Sequence, residues 1–311
     1  MPDSGPELLK AVPEKYARAT GARAAFLLEG VRGLFAAKWR LPSFRITSPW
    51  APHHALGYRV SGIATITRSC GGVEVRKVPP IGSVTFSPGD RPTGWASDAP
   101  LETIHVYIAA EALQRFAEQH LDRDRLPAIR DFFGITDPWL TGYFQLLDSE
   151  CAPYDALLAG DPRRPADSLF LDQTEHLLLR HLVRSHSDAG RAVARSLGER
   201  VRVSPLGRGV TRRIEEYIEA QLDANMSLHN LAALAHMSPD HFLRAFRAAT
   251  GKTPHRFVLD RRLERAAALL RAEGAAIAEV ARACGFRSAA HFSVKFHARF
   301  GVTPSQYRRS P

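Results

Sequence analysis

The segment HFLRAF at residues 241–246 returns as HFSVKF at residues 291–296. The two copies then run in step. Gly251, Thr253, Pro254 and Phe257 follow the first, and Gly301, Thr303, Pro304 and Tyr307 follow the second, each fifty positions on. One offset held across so many matched residue types marks a duplicated structural unit. Such a duplication constrains the fold more than any local propensity does.

Each copy reads as two short helices joined by a tight turn. The leading helix is amphipathic: LHNLAALA turns Leu228, Leu231 and Leu234 inward, and IAEVARAC does the same with Ile277 and Val280. Small residues (Ala232, Ala235, Ala281, Cys284) allow a second helix to approach closely. Ser238 before Pro239, and Ser288 in the second copy, are helix-starting caps. The pattern is that of a helix-turn-helix, written twice.

In the second helix of each copy, Phe242 and Phe246, then Phe292, Phe296 and Phe300, recur every four residues and mark the buried face. The opposite face of the first copy carries Asp240, Leu243, Arg244 and Arg247. Arginine at such positions grips guanine edges or phosphates. The fifty-residue offset puts Ala290, Ser293, Val294 and His297 on the matching face, with Lys295 and Arg299 beside it. His241, Ala289 and His291 complete the candidate interface. The stretch between the copies, TPHRFVLDRRLERAAALLRAEG, has about 20 helical residues and so spans about 30 Å. Successive major grooves on one side of a duplex lie about 34 Å apart. One stiff linker helix therefore suits two recognition helices on one face of double-stranded DNA. Charge agrees: the net is +10, and from Ser204 onward 17 Lys and Arg face 9 Asp and Glu. A basic domain on a near-neutral body suits a polyanionic partner.

The ordered run SLHNLAALAHMSPDHFLRAFRAATGKTPHRF, RRLERAAALL, IAEVARACGFRSAAHFSVKFHARFGVTPSQYR resembles the DNA-binding domain of the AraC/XylS family of bacterial transcription regulators. The resemblance covers about the last hundred residues. It implies seven helices, two helix-turn-helix units on a linker helix, promoter binding, and activation through contact with RNA polymerase. Many members carry Arg where this chain has Val294. That departure points to Arg244 and the first unit as the main readers of sequence.

Before the repeat the texture differs. Segments such as LGYRVSGIATITR, GGVEVRKV, GSVTF and ETIHVYIA are β-branched or alternating, and Gly, Pro, Ser and Asp clusters separate them, as in SPGDRPTG. That is the pattern of antiparallel strands in a sandwich or barrel. Helical stretches follow, including ADSLFLDQTEHLLLRHLVRS, whose Leu171, Leu178 and Leu182 form a stripe for packing within the chain or against a second copy as a homodimer. The resemblance, weaker here, implies a cupin-like sensor and dimerisation domain holding a small-molecule effector, with His54, Tyr58, Trp95, His105 and Tyr107 as candidate lining residues.

The expected whole is a multidomain α+β chain. Residues 1–42 are an N-terminal extension, and 43–186 a cupin-like β-barrel or sandwich with following helices. Residues 187–207 are a linker rich in Gly, Ser and Arg. Residues 208–311 are the all-α DNA-binding domain with its two helix-turn-helix units.

Other classes fit less well. His53 and His54 are adjacent, so a strand sends them to opposite faces, and the sequence places no histidine and carboxylate cluster for metal catalysis. No phosphate-binding loop, nucleophile elbow or zinc-peptidase motif is present, and no cofactor is expected. Three scattered cysteines suit a reducing, cytoplasmic compartment, and no apolar run suits a membrane span. Two alternatives remain: a nonspecific architectural DNA binder, which needs only the charge, and a cupin-type enzyme with a DNA-binding tail.

Overall fold

The computed structural model describes residues 9, 11–48, 53–121, 128–152, 162–163, 167–187, 205–271 and 275–309. The chain divides into two compact units. One comprises Met1–Ala152, Leu158–Arg164 and Thr174–Gly198, and the other Pro153–Leu157, Pro165–Gln173 and Glu199–Pro311.

The first unit contains helix α1 (Val12–Thr20) and ten strands among its described residues: β1 (Arg23–Glu29), β2 (Leu34–Leu41), β3 (Phe44–Ser48), β4 (His53–Ser61), β5 (Ile66–Cys70), β6 (Val73–Lys77), β7 (Val84–Ser87), β8 (Thr93–Ser97), β9 (Leu101–Ala109) and β10 (Phe132–Ile135). Helices α2 (Ala110–Leu121) and α3 (Pro138–Cys151) flank β10 in the chain. The strands form two antiparallel sheets, one ordered β1-β2-β9-β4-β7-β10 and the other β3-β8-β5-β6. Strand alternation sorts the side chains of β9: Ile104, Val106 and Ile108 are fully buried, while Thr103, His105 and Tyr107 turn into a cavity.

The extension expected over residues 1–42 is corrected by this sheet. Its residues 23–41 supply β1 and β2, and β2 pairs with β9 along its whole length, from Leu34 opposite Ile108 to Leu41 opposite Leu101. The sequence LFAAKWRL hides its strand character because Leu34, Phe35, Ala36 and Ala37 are all buried, which erases the period of two over its first half. The Gly- and Pro-rich stretch read as a separator also carries a strand, β8, which pairs with both β3 and β5.

Helix α4 (Ser168–His186) contributes residues up to Gln173 to the second unit and the rest to the first. Leu171, Leu178 and Leu182 are at most 3% exposed, so none offers a seam to another copy. Core packing within the chain has claimed the stripe. The linker expected over 187–207 lies mostly outside the described residues.

The second unit also holds seven helices of its own among the described residues: α5 (Arg208–Ala220), α6 (Leu228–Leu234), α7 (Pro239–Thr250), α8 (Pro254–Arg271), α9 (Ile277–Ala283), α10 (Ala289–Phe300) and α11 (Pro304–Arg309). The long α8 packs against α7 on one side of the repeat and against α9, α10 and α11 on the other. Its 18 residues span about 27 Å, close to the length expected from the sequence.

Candidate nucleic-acid interface and ligand cavity

The repeat folds as two near-equivalent helix pairs, α6–α7 and α9–α10. The Ser238 Oγ accepts from the His241 N–H at 3.4 Å, and the Ser288 Oγ accepts from the His291 N–H at 3.1 Å. Both second helices end on a left-handed glycine, Gly251 at φ +73° and Gly301 at φ +75°. The aromatic eleven positions after the central phenylalanine packs edge-on in both: Phe246 on Phe257 at 5.6 Å and Phe296 on Tyr307 at 5.2 Å. The turns close alike, with the Met237 N–H donating to Ala232 O and the Phe286 N–H to Ala281 O.

The candidate DNA-facing residues divide on burial. In α7, Arg244 and Arg247 are exposed, and Asp240 and His241 are half-exposed. The Arg244 Nε donates to the Asp240 carbonyl at 3.2 Å, which holds the stem along its own helix. In α10, His297 is exposed, and Ala289, Ala290, Ser293 and Lys295 are half-buried. The Ser293 hydroxyl donates to the Ala289 carbonyl of its own helix. Three candidates are corrected: Leu243 and Val294 are under 10% exposed, and His291 is 1% exposed. An apolar side chain at the edge of a helix face completes the core before it reaches solvent.

His291 is the instructive case, because its counterpart His241 carries the same letter. Its ring meets Phe286 edge-on at 5.5 Å, and burial holds its pKa below the usual histidine range, with Asp167 opposing that shift. Asp167 belongs to a buried network of the same unit. It accepts from the Arg262 guanidinium at 2.5 Å, while Arg262 also donates to the Leu222 and Ala224 carbonyls. Charge placed on His291 would have to be carried without water, so it is a neutral core residue.

Sequence reasoning passed over Arg287, an exposed cation one position before the Ser288 cap. A basic residue directly preceding a recognition-helix cap was the available signal. The Glu279 carboxylate accepts from the Ala276 N–H at 3.0 Å, closing half a capping box at the start of α9.

In the first unit, both sheets line a cavity of about 390 Å³. The six-stranded sheet contributes His53, Arg59, Thr103, His105 and Tyr107, and the four-stranded sheet Phe44, Ile46, Ile66, Thr93 and Trp95. Helix α1 covers it with Val12, Lys15, Tyr16 and Ala19, spaced i, i+3, i+4 and i+7. Of the candidates, Trp95, His105 and Tyr107 line the cavity. Tyr58 borders it, but its ring stacks on Phe144 of α3 at 4.9 Å. His54 is corrected: strand alternation sends it away from the cavity, onto Phe86, and its Nδ1 accepts from the Gly89 N–H. Its neighbour His53 takes the cavity position, so the choice between adjacent histidines fell one residue off.

The lining is polarised. The Trp39 indole N–H donates to the Tyr107 hydroxyl at 3.2 Å, and the His105 Nδ1 lies 3.2 Å from the same oxygen. Burial pulls the pKa values of His53 and His105 down to about 4 and raises that of Tyr107, so these groups are uncharged near neutrality. Lys15 and Arg59 supply positive charge, Arg91 is paired with Asp90, and among the described residues no Asp or Glu lines the cavity.

Comparison with known proteins finds a family match within the second unit. Residues 231–310 match the family described as "Helix-turn-helix domain". The probable transcriptional regulator LumQ of Photobacterium leiognathi is 29% identical over 179 residues, covering 57% of this chain and 67% of that protein. The right origin-binding protein of Escherichia coli K12 is 36% identical over 103 residues, covering 33% of this chain and 36% of that protein. Among solved structures, a regulator from Chromobacterium violaceum described by its AraC-type DNA-binding domain is 28% identical. The match covers 33% of this chain and 96% of that one at a TM-score of 0.32. The chain thus spans two thirds of the first relative and about a third of the second.

Proposed function

We propose that this chain, whose last third resembles the AraC/XylS family of bacterial transcription regulators, binds specific promoter sites in double-stranded DNA and controls transcription in response to a small effector. The observation that carries the DNA reading is the pair of identically capped helices α7 and α10 on one linker helix, the first presenting exposed Arg244 and Arg247. Arg244 is assigned to base edges, and Arg247, Arg287 and Arg299 to phosphates. One chain carries two recognition helices, so a single copy can reach two successive grooves. The family resemblance favours activation through RNA polymerase, in the cytoplasm where promoters are. It also favours a regulator over an enzyme.

The effector site is the cavity between the sheets, a cupin-like placement. Its volume suits a small ligand. Aromatic faces of Tyr16, Trp95 and Tyr107 suit a flat or apolar body, and Lys15 and Arg59, with no acid among the lining residues, suit an anionic or neutral polar end. Reciprocal coupling follows: an effector that tightens DNA binding is itself bound more tightly by the DNA complex.

The test is selection from pooled genomic fragments against excess random competitor at two salt concentrations. Retention of a few upstream fragments is expected. Equal, salt-sensitive binding to every fragment would replace this reading with nonspecific architectural binding.

A further inference from the structure

Away from the cavity, the first unit gathers Asp137, His181 and His186. Asp137 is the N-cap of α3, and its Oδ1 accepts from the Trp139 and Leu140 N–H groups at 2.9 and 3.0 Å. That bond set completes the capping task and fixes the carboxylate plane. The second oxygen, Oδ2, is turned away from the helix, and the Nε2 atoms of His181 and His186 both converge on it at 2.8 Å. Aromatic packing holds each imidazole. His181 lies flat on Trp139 at 4.3 Å, and His186 sits against Phe132 at 4.6 Å. The three side chains are 12–17% exposed, withdrawn from bulk water yet reachable from it.

We propose that Asp137, His181 and His186 form a binding site for a divalent first-row transition-metal ion of the zinc class. Two imidazole nitrogens and one carboxylate oxygen are the donor set such ions take, and three protein ligands leave a fourth position for water or another ligand. All three donor atoms lie within 4.8 Å of one another. Metal–ligand bonds of about 2.0–2.1 Å require tetrahedral ligand pairs about 3.3 Å apart, so each imidazole backs away from Oδ2 by about half an ångström. Each imidazole then carries its proton on Nδ1 and offers the Nε2 lone pair. The backbone donors on Oδ1 act as the outer shell that orients the carboxylate. An ion here links α3, the end of α4 and the residues beside β10, and so braces the helical side of the unit.

The site was out of reach of spacing arguments. Asp137 lies 44 and 49 positions from its partners, and it looked like an ordinary helix cap.

The experiment uses the untagged, full-length chain stripped of metal by chelation. It is titrated with Zn(II) by calorimetry and with Co(II) by visible absorption. One equivalent per chain is expected, with a four-coordinate Co(II) spectrum and a higher melting temperature in Zn(II). Asp137→Asn keeps a competent cap and loses the charged ligand, so it separates ligation from folding. This variant and the His181→Ala/His186→Ala double variant should each weaken binding by at least about tenfold. Absence of saturable binding in the wild type, or equal affinity in Asp137→Asn, overturns the site.

Discussion

The two helix-turn-helix units share their letters where the core is built and differ where the surface is. Both have a serine cap, a left-handed glycine end and an edge-on aromatic pair. They part at the turn. Four residues separate α6 from α7, whereas five separate α9 from α10, so the offset is 49 before the turn and 50 after it. The left-handed position is His236 at φ +52° in the first copy and Gly285 at φ +78° in the second. They part again at the recognition helix, where Arg244 stands exposed and its counterpart Val294 is buried. The core of a duplicated unit fixes its shape, and the surface is free to give each copy a different task. Here the second copy buries the position at which the first exposes an arginine, which is why the first is proposed as the reader.

The sharpest way to break that contrast is at the turn of the second copy. A Cβ on Gly285 would lie 2.2 Å from the Leu222 carbonyl oxygen and 2.9 Å from the Arg262 guanidinium. Backbone cannot yield as a flexible side chain can, and Arg262 pins that same carbonyl. Gly285→Ala should therefore cost about 3–4 kcal/mol, combining a steric clash with left-handed strain. At Gly251 a Cβ meets nothing within 4 Å, so Gly251→Ala should cost only about 1–2 kcal/mol of strain. Far-ultraviolet circular dichroism melts of the two variants check the difference, and equal losses would show that the second turn is not specially embedded.

The next contrast lies on the recognition helices. Arg244→Ala should weaken binding to a selected site by about 1–3 kcal/mol and relax base preference there. Val294→Ala should leave base preference nearly unchanged while lowering fold stability by about 1–2 kcal/mol, since it removes buried methyl groups. Fluorescence anisotropy on selected and mutated sites, paired with thermal melts, reads both effects. Lost base preference in Val294→Ala with none in Arg244→Ala would reverse the assignment of reader and support.

What sequence could reveal follows the same division. Periodic phenylalanines, serine caps and the fixed offset announce α6 to α11, because local chemistry dictates them. The strand β2 was missed because its first four residues are buried on both faces, and β8 because Pro and Gly surround it. His291 and His241 share one letter, yet only the fold tells which is core: the Phe286 ring and the Asp167 network are assembled from distant positions. The cavity position fell to His53 rather than His54 because one residue of strand register decides the face.

The mildest expected effect lies at the first turn. His236 is exposed and carries a Cβ in the left-handed region, a conformation that disfavours L-residues by about 1–2 kcal/mol. His236→Gly removes that strain but gives the unfolded chain more freedom, which offsets about 0.4–1 kcal/mol of the gain. The net is a stabilisation of about 0.5–1 kcal/mol, read as a small rise in denaturation midpoint. The turn would then carry glycine at the left-handed position in both copies. Its surface placement leaves the Met237 to Ala232 closure in place. If His236→Gly instead lowers both stability and DNA affinity, the imidazole has a task at the interface. The first copy would then differ from the second by a contact as well as by its arginines.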